Sequence, residues 1–151
     1  MPITKYGKSR IARIQFDKGC AFVGAALLLK PHTKNESFNY VYMHLICQGI
    51  ELILKELLLV KSCDIYRPKE RKFGHNILKL SESAITEFNL NPLKKEMKEC
   101  LELLSKLFFE HKLRYSSIQD IFIDPSSIAI DPAVRRLAAI IRLALRHLNR
   151  I

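Results

Sequence analysis

The sequence lacks tryptophan and contains few glycines, prolines and cysteines. These are the residues on which repetitive, disulfide-rich and small metal-binding proteins depend. Only five of its 151 residues are glycine and six are proline, which excludes collagen-like and low-complexity chains. Its four cysteines, Cys20, Cys47, Cys63 and Cys100, include no C-x-x-C pair, so the spacing typical of zinc fingers and redox dithiols is absent. Neither a glycine-rich phosphate loop nor a nucleophile elbow occurs.

An apolar run long enough to cross a bilayer is also missing. The longest apolar segment, residues 45–60, contains four polar or charged side chains, whereas a spanning helix needs about 20 mainly apolar residues. A basic segment precedes the apolar run 20–29, as in a signal peptide, but that run ends in Lys-Pro-His without a small-residue cleavage site. We therefore expect a cytoplasmic protein with reduced thiols, without a membrane span, a metal or a cofactor.

Acidic residues are in the minority, with 15 Asp and Glu against 25 Lys and Arg, so the net charge is +10. The excess lies in three regions, residues 1–18, 61–79 and 131–151, each with a net charge of +4. Separate basic regions predict an anionic partner, for which RNA, a nucleotide and an acidic protein all qualify. The alternative is that the charge only keeps the protein soluble.

Apolar residues recur at three- and four-residue spacing and predict five helices. Their expected bounds are residues 17–30, 37–62, 75–88, 92–111 and 131–149. The second would be about 40 Å long and apolar around most of its circumference, which places it at the centre of a bundle. Because no repeat or linker divides the chain, we predict one all-α domain over residues 1–151. The expected core comprises Leu45, Ile46, Ile50, Ile53, Leu54, Leu57, Ile77, Leu80, Leu101, Leu104, Leu137 and Ile141.

Small residues and two residue pairs that end in proline give further detail on the predicted helices. The predicted first helix carries small residues suited to close packing, namely Ala21, Gly24, Ala25 and Ala26. Asn91-Pro92 and Asp131-Pro132 each combine an N-cap residue with a proline for the first helical position. Residues 113–130 have no helical pattern, and residues 121–123 are a candidate extended segment.

A polar stripe interrupts the apolar surface of the predicted central helix. It consists of His44, Gln48, Glu51 and Lys55, at steps of four, three and four residues. Glu51 and Lys55 form an i,i+4 acid-to-base pair worth about 0.2–0.5 kcal/mol on an exposed face. On a central helix they would be a partly buried pair that needs further partners. The stripe faces either solvent or a subunit interface, or it lines a binding groove.

The best candidate for a phosphate or nucleic-acid site is the basic segment before the third helix. Its members are Arg67, Lys69, Arg71, Lys72 and, after Gly74, His75. Flexible cations contact phosphates, and helix N-termini attract anions. The alternative is a solvated loop of mixed charge.

Three short motifs follow one another in the chain. E-L-I-L-K begins at Glu51 and is followed by three leucines, G-H-N-I-L-K-L begins at Gly74, and Arg114-Tyr115 comes later. Their order resembles the HEPN domain superfamily (higher eukaryotes and prokaryotes nucleotide-binding), with its E-L-x-L-K-x-L-L, G-H-[DN]-L-x-K-L and R-Y motifs. The resemblance implies a five-helix HEPN-like bundle that pairs as a homodimer. It also implies a non-catalytic or degenerate module that binds nucleotide, RNA or a protein partner, as in toxin–antitoxin or phage-defence systems.

Many HEPN proteins are metal-independent ribonucleases with an arginine, four to six residues and then a histidine. Arg142 and His147 match this spacing. In such a site the histidine transfers the proton and the arginine stabilises the phosphorane charge. However, Leu143 stands where the family has a polar residue, and a five-residue step turns a helix by about 140°, so the two side chains would not share a face. A ribonuclease is therefore the first alternative function, and a structural helical interaction domain is the second.

Overall fold

The computed structural model of the chain describes residues 5–109 and 130–149. Every regular element in these ranges is helical, which confirms the all-α prediction. The helices are α1 (Lys5–Leu29), α2 (Glu36–Tyr66), the single turn α3 (Glu70–Phe73), α4 (Ile77–Glu87), α5 (Lys95–Phe109) and α6 (Ile130–Asn149). The Arg114-Tyr115 pair and the candidate extended segment 121–123 lie outside the described residues.

The long second helix, α2, is the centre of the bundle, as its apolar circumference predicts. It spans 31 residues and packs against α1, α4, α5 and α6. Its start is set by Asn35, whose side chain accepts hydrogen bonds from the backbone N–H groups of Ser37 and Phe38 at 3.0 and 3.4 Å. Near its end, Ser62 has non-helical backbone angles (φ −151°, ψ 70°) that kink the helix.

Helix α1 approaches α2 closely at one pair of glycines. A Cβ atom on Gly49 would lie 2.7 Å from the carbonyl oxygen of Gly19, and one on Gly19 would lie 2.9 Å from the carbonyl oxygen of Gly49. The predicted close packing therefore depends on Gly19. Of the small residues expected there, Ala26 is buried, whereas Gly24 and Ala25 are exposed.

Two predicted helix starts are wrong. The first helix begins at Lys5 rather than at residue 17, and the fourth begins about one turn later than predicted. Residues 91–94 are non-helical and α5 begins at Lys95. The carbonyl oxygen of Asn91 instead accepts a hydrogen bond from Nη2 of Arg136 on α6, at 2.7 Å. This contact joins the segment before α5 to α6. The helix start predicted at Asp131-Pro132 is close to the observed one. Both residues lie in the first turn of α6, where the missing N–H of proline costs no helical hydrogen bond.

Ten of the twelve predicted core residues are buried, and the other two, Leu45 and Ile141, are half-buried against the core. Most of this core lies between α2 and the layer formed by α4, α5 and α6. In the part of the chain that the structure describes, no helix has the length and apolarity needed to span a membrane.

Candidate functional site

The side chain of Glu51 lies inside the bundle, although it belongs to the polar stripe. Glu51 is only 3% exposed. Its Oε1 accepts a hydrogen bond from Nζ of Lys55 at 2.6 Å, and its Oε2 lies 2.9 Å from Nδ1 of His75. The two carboxylate oxygens thus have separate partners, which a buried charge requires. The interpretation that the stripe faces solvent does not hold at Glu51.

His75 is oriented by this contact. Because a carboxylate only accepts hydrogen bonds, Nδ1 of His75 donates to Glu51 and the ring directs Nε2 away from it. The histidine side chain is 39% exposed, whereas that of Glu51 is 4% exposed. A buried carboxylate therefore holds a partly exposed imidazole at the entrance to α4. Gly74, which precedes it, has φ 50° and ψ −125°, a backbone conformation that favours glycine.

The first turn of α4 is capped from two sides. Oδ1 of Asn76 accepts a hydrogen bond from the backbone N–H of Lys79 at 3.0 Å, and Oγ of Ser105 on α5 accepts one from Leu78 at 3.0 Å. Sequence reasoning treated this helix start as a source of N–H donors for a phosphate. Since these two N–H groups are engaged within the chain, an anion here depends on side-chain cations and His75.

The basic segment connects the end of α2 to this histidine. Arg67, Lys69 and Lys72 are exposed, and Nζ of Lys69 lies 5.8 Å from the ring centroid of Tyr66, within the range of a cation–π contact. The side chain of Arg71 lies outside the described part of the molecule. The structure therefore brings three cations of the predicted site to the surface on the same short connection that leads to His75.

A second, partly buried contact, which sequence reasoning missed, joins the kinked end of α2 to α4. Glu87, at the end of α4, accepts hydrogen bonds from the hydroxyl groups of Ser62 at 2.7 Å and Tyr66 at 2.9 Å. These bonds lower the pKa of Glu87, while burial and the bond to Glu87 raise the pKa of Tyr66 to about 12. Glu87 lies 25 residues from Ser62 and 21 from Tyr66, so no local sequence pattern indicates the cluster.

The remaining members of the stripe, His44 and Gln48, are half-buried on α2. Toward the N-terminus of α2, Gln48 lies one helical turn and His44 two helical turns before Glu51. Further along the stripe, Glu51 contacts the predicted phosphate site through His75, and Lys55 contacts Glu51.

Arg142 and His147 have different surroundings in this chain. Arg142 is exposed and lines an apolar groove between α6, α1 and α2. His147 is half-buried, with Nε2 at 3.2 Å from Nζ of Lys61 and its ring edge-on to Phe88 at 5.6 Å between centroids. The two side chains share none of these neighbours, as expected from the 140° step. A catalytic role for them stays a prediction.

The described residues contain no group of three or more Cys, His, Asp or Glu that could hold a metal ion. Cys47 is buried, and burial, with Glu51 and Cys100 nearby, raises the pKa of its thiol. A protonated thiol is a poor nucleophile and a poor metal ligand. Comparison with known proteins finds no match for this chain among family models, curated proteins or solved structures.

Proposed function

We propose that this protein is a HEPN-like helical module that binds a phosphate-bearing ligand, RNA or nucleotide, at its basic segment and His75. The observation that carries the proposal is the contact of Glu51 with both Lys55 and His75. It joins the E-L-I-L-K motif to the G-H-N motif, on which the resemblance depends. The residues of both motifs thus have a common physical role, which is to fix one imidazole.

The chemistry of the segment supports this choice over a purely structural role. A histidine held by a buried carboxylate loses conformational freedom, so less entropy is lost when it binds a ligand. Arg67, Lys69 and Lys72 add positive charge that a phosphate backbone attracts. Residues 61–79 carry a net charge of +4, with six Lys and Arg against two acidic residues, Asp64 and Glu70.

The test is binding of a fluorescent single-stranded RNA, followed by anisotropy over a range of salt concentrations. Each neutralised phosphate in a single strand contributes about −0.7 to the slope of log affinity against log salt. The double variant Lys69→Ala/Lys72→Ala should therefore flatten the slope by about 1.4 units if both side chains contact phosphates.

A matched control is Lys94→Ala/Lys95→Ala, which removes the same charge. These exposed residues lie at the start of α5, whereas Ser105, near its other end, contacts the start of α4. The control should leave the slope within the error of the wild-type value. Equal slopes for the two double variants would contradict the proposed site, and no RNA or nucleotide binding even at low salt would contradict the proposed function.

The ribonuclease alternative is tested with the same RNA. If it is correct, wild-type protein cleaves the strand without added metal, and Arg142→Ala or His147→Ala abolishes cleavage while binding remains nearly unchanged. An intact strand after long incubation would refute this alternative.

Pairing of two copies and a toxin–antitoxin or phage-defence context belong to the same proposal, since the resemblance implies both. A cytoplasmic location with reduced thiols is proposed with them, on the cysteine pattern of the sequence. Sedimentation velocity measures the first directly. We expect a dimer at micromolar concentration, and a monomer there would count against the homodimer.

A further inference from the structure

An open apolar groove runs along α6. Of the candidate site residues that the structure describes, Arg142 alone lines it. Its volume is about 370 Å³, and its floor is formed by Ile46, Ile50 and Ile53 of α2. The α6 wall carries Val134, Ile141 and Leu145. Because Val134 and Leu145 are eleven residues apart, this wall extends for about 16 Å, or three helical turns.

The α6 side chains in this groove are more exposed than those at the centre of the core. Ala133, Leu137, Ile140 and Ala144 are fully buried, whereas the adjacent stripe of Val134, Ala138, Ile141 and Leu145 is half-buried or exposed. The helix therefore has a second apolar stripe, which packs against the core only in part. Continuous apolar stripes of this kind on a surface are typical of interaction sites.

Two arginines border the groove. Arg142 and Arg146 both line it, both are exposed, and they are one helical turn apart. In the described ranges neither guanidinium forms an ion pair with a carboxylate. Like charges at this spacing repel each other, and beside an apolar surface they select carboxylates from a partner.

We propose that this groove binds an acidic amphipathic helix of a partner protein. Three turns of apolar wall match the i, i+3, i+4, i+7 anchors of a helix lying in a groove, and its carboxylates would pair with Arg142 and Arg146. A volume of 370 Å³ admits a row of apolar side chains, while the partner backbone stays outside. A second copy of this chain fits less well, because its net charge is +10 and like charges would meet at the groove.

The experiment uses three fluorescein-labelled, hydrocarbon-stapled peptides of about 18 residues, long enough for four to five turns. The first has leucines at the anchor positions and glutamates on both flanks. The second replaces the glutamates by lysines, and the third keeps the glutamates and replaces the leucines by serines. Wild-type protein should bind the first peptide at least about tenfold more tightly than either of the others.

Two variants locate the binding. Ala138 lines the groove and is exposed, so Ala138→Phe should fill the groove without disturbing the core and weaken binding about tenfold or more. Arg142→Ala/Arg146→Ala should weaken it about fivefold, as the loss of two exposed ion pairs implies. Lys94→Ala/Lys95→Ala removes the same charge elsewhere and should leave binding unchanged, and circular dichroism checks that all variants are folded.

The possible results distinguish an acidic partner helix in the groove from attraction by charge alone, from binding at a different surface and from a second copy of this chain. Equal binding of the serine peptide means attraction by charge alone, and unchanged binding to Ala138→Phe means a different surface; either overturns the proposal. No binding of the acidic leucine peptide also overturns it. If wild-type protein self-associates and Ala138→Phe is monomeric, the groove binds a second copy, and an acidic partner helix is the wrong occupant.

Discussion

Replacement of Gly49 by alanine should destabilise the protein, although alanine is the better helix former. At this position α1 and α2 are so close that the added Cβ would lie 2.7 Å from the carbonyl oxygen of Gly19, 2.7 Å from Cγ2 of Val23 and 3.0 Å from the backbone nitrogen of Val23. Two of these three atoms belong to the backbone of α1, which cannot move as a single side chain can. The helices would have to separate over the whole crossing.

The magnitude follows from two opposing effects. Alanine gains about 1 kcal/mol over glycine in a helix interior, and overpacking a core costs about 1–3 kcal/mol. Because the contacts are with backbone, the cost should lie at the upper end of that range, which leaves a net loss of about 1–2 kcal/mol. For a chain of this size each kcal/mol shifts Tm by about 2–4 °C.

Gly24→Ala is the matched control on the same pair of helices. Gly24 is exposed, and a Cβ there meets no atom within 4 Å, so the substitution should stabilise the protein by about 0.5–1 kcal/mol. Urea unfolding followed by far-UV circular dichroism measures both changes. Gly19→Ala should behave like Gly49→Ala, since its Cβ would lie 2.8 Å from Cγ1 of Ile53. If Gly49→Ala were as stabilising as Gly24→Ala, the close crossing would be refuted.

Three further predictions concern the buried contacts. Glu51→Gln should lower the free energy of unfolding by about 1.5–3 kcal/mol, because the buried carboxylate that accepts hydrogen bonds from Lys55 and His75 is lost. The control Glu99→Gln, on an exposed and weak pair, should change it by less than about 0.5 kcal/mol, and equal effects would refute the role of Glu51. Glu87 has a lowered pKa in the folded protein, so its contribution to stability is present above its ordinary pKa of 4.5 and is lost as the pH falls below that value. Urea titrations at several pH values should show wild type losing more stability on acidification than Glu87→Gln, and parallel curves would contradict this. Leu54→Ala should cost about 2–5 kcal/mol in the same assay, since Leu54 is fully buried, and a loss below about half a kcal/mol would show that the site can collapse.

The candidate site could be predicted only in part from the sequence. Lys55 was predicted to pair with Glu51, because the i,i+4 spacing is a property of one helix. That a buried pair on a central helix needs another partner was also expected, but its identity was not. His75 lies 24 residues further along the chain, and only the packing of α4 on α2 brings it to Glu51.

Sequence by itself determined the all-α class, the central position of α2 and most of the core. These properties depend on the spacing of apolar residues along single helices, and a period of about 3.6 residues reports which side of a helix is buried. It does not report how far two helices are rotated or shifted relative to each other. The glycine crossing of α1 and α2, the contact of Arg136 with Asn91 before α5, and the groove along α6 all depend on those displacements. They were decided by tertiary structure, because each requires residues from separate parts of the chain to be brought together.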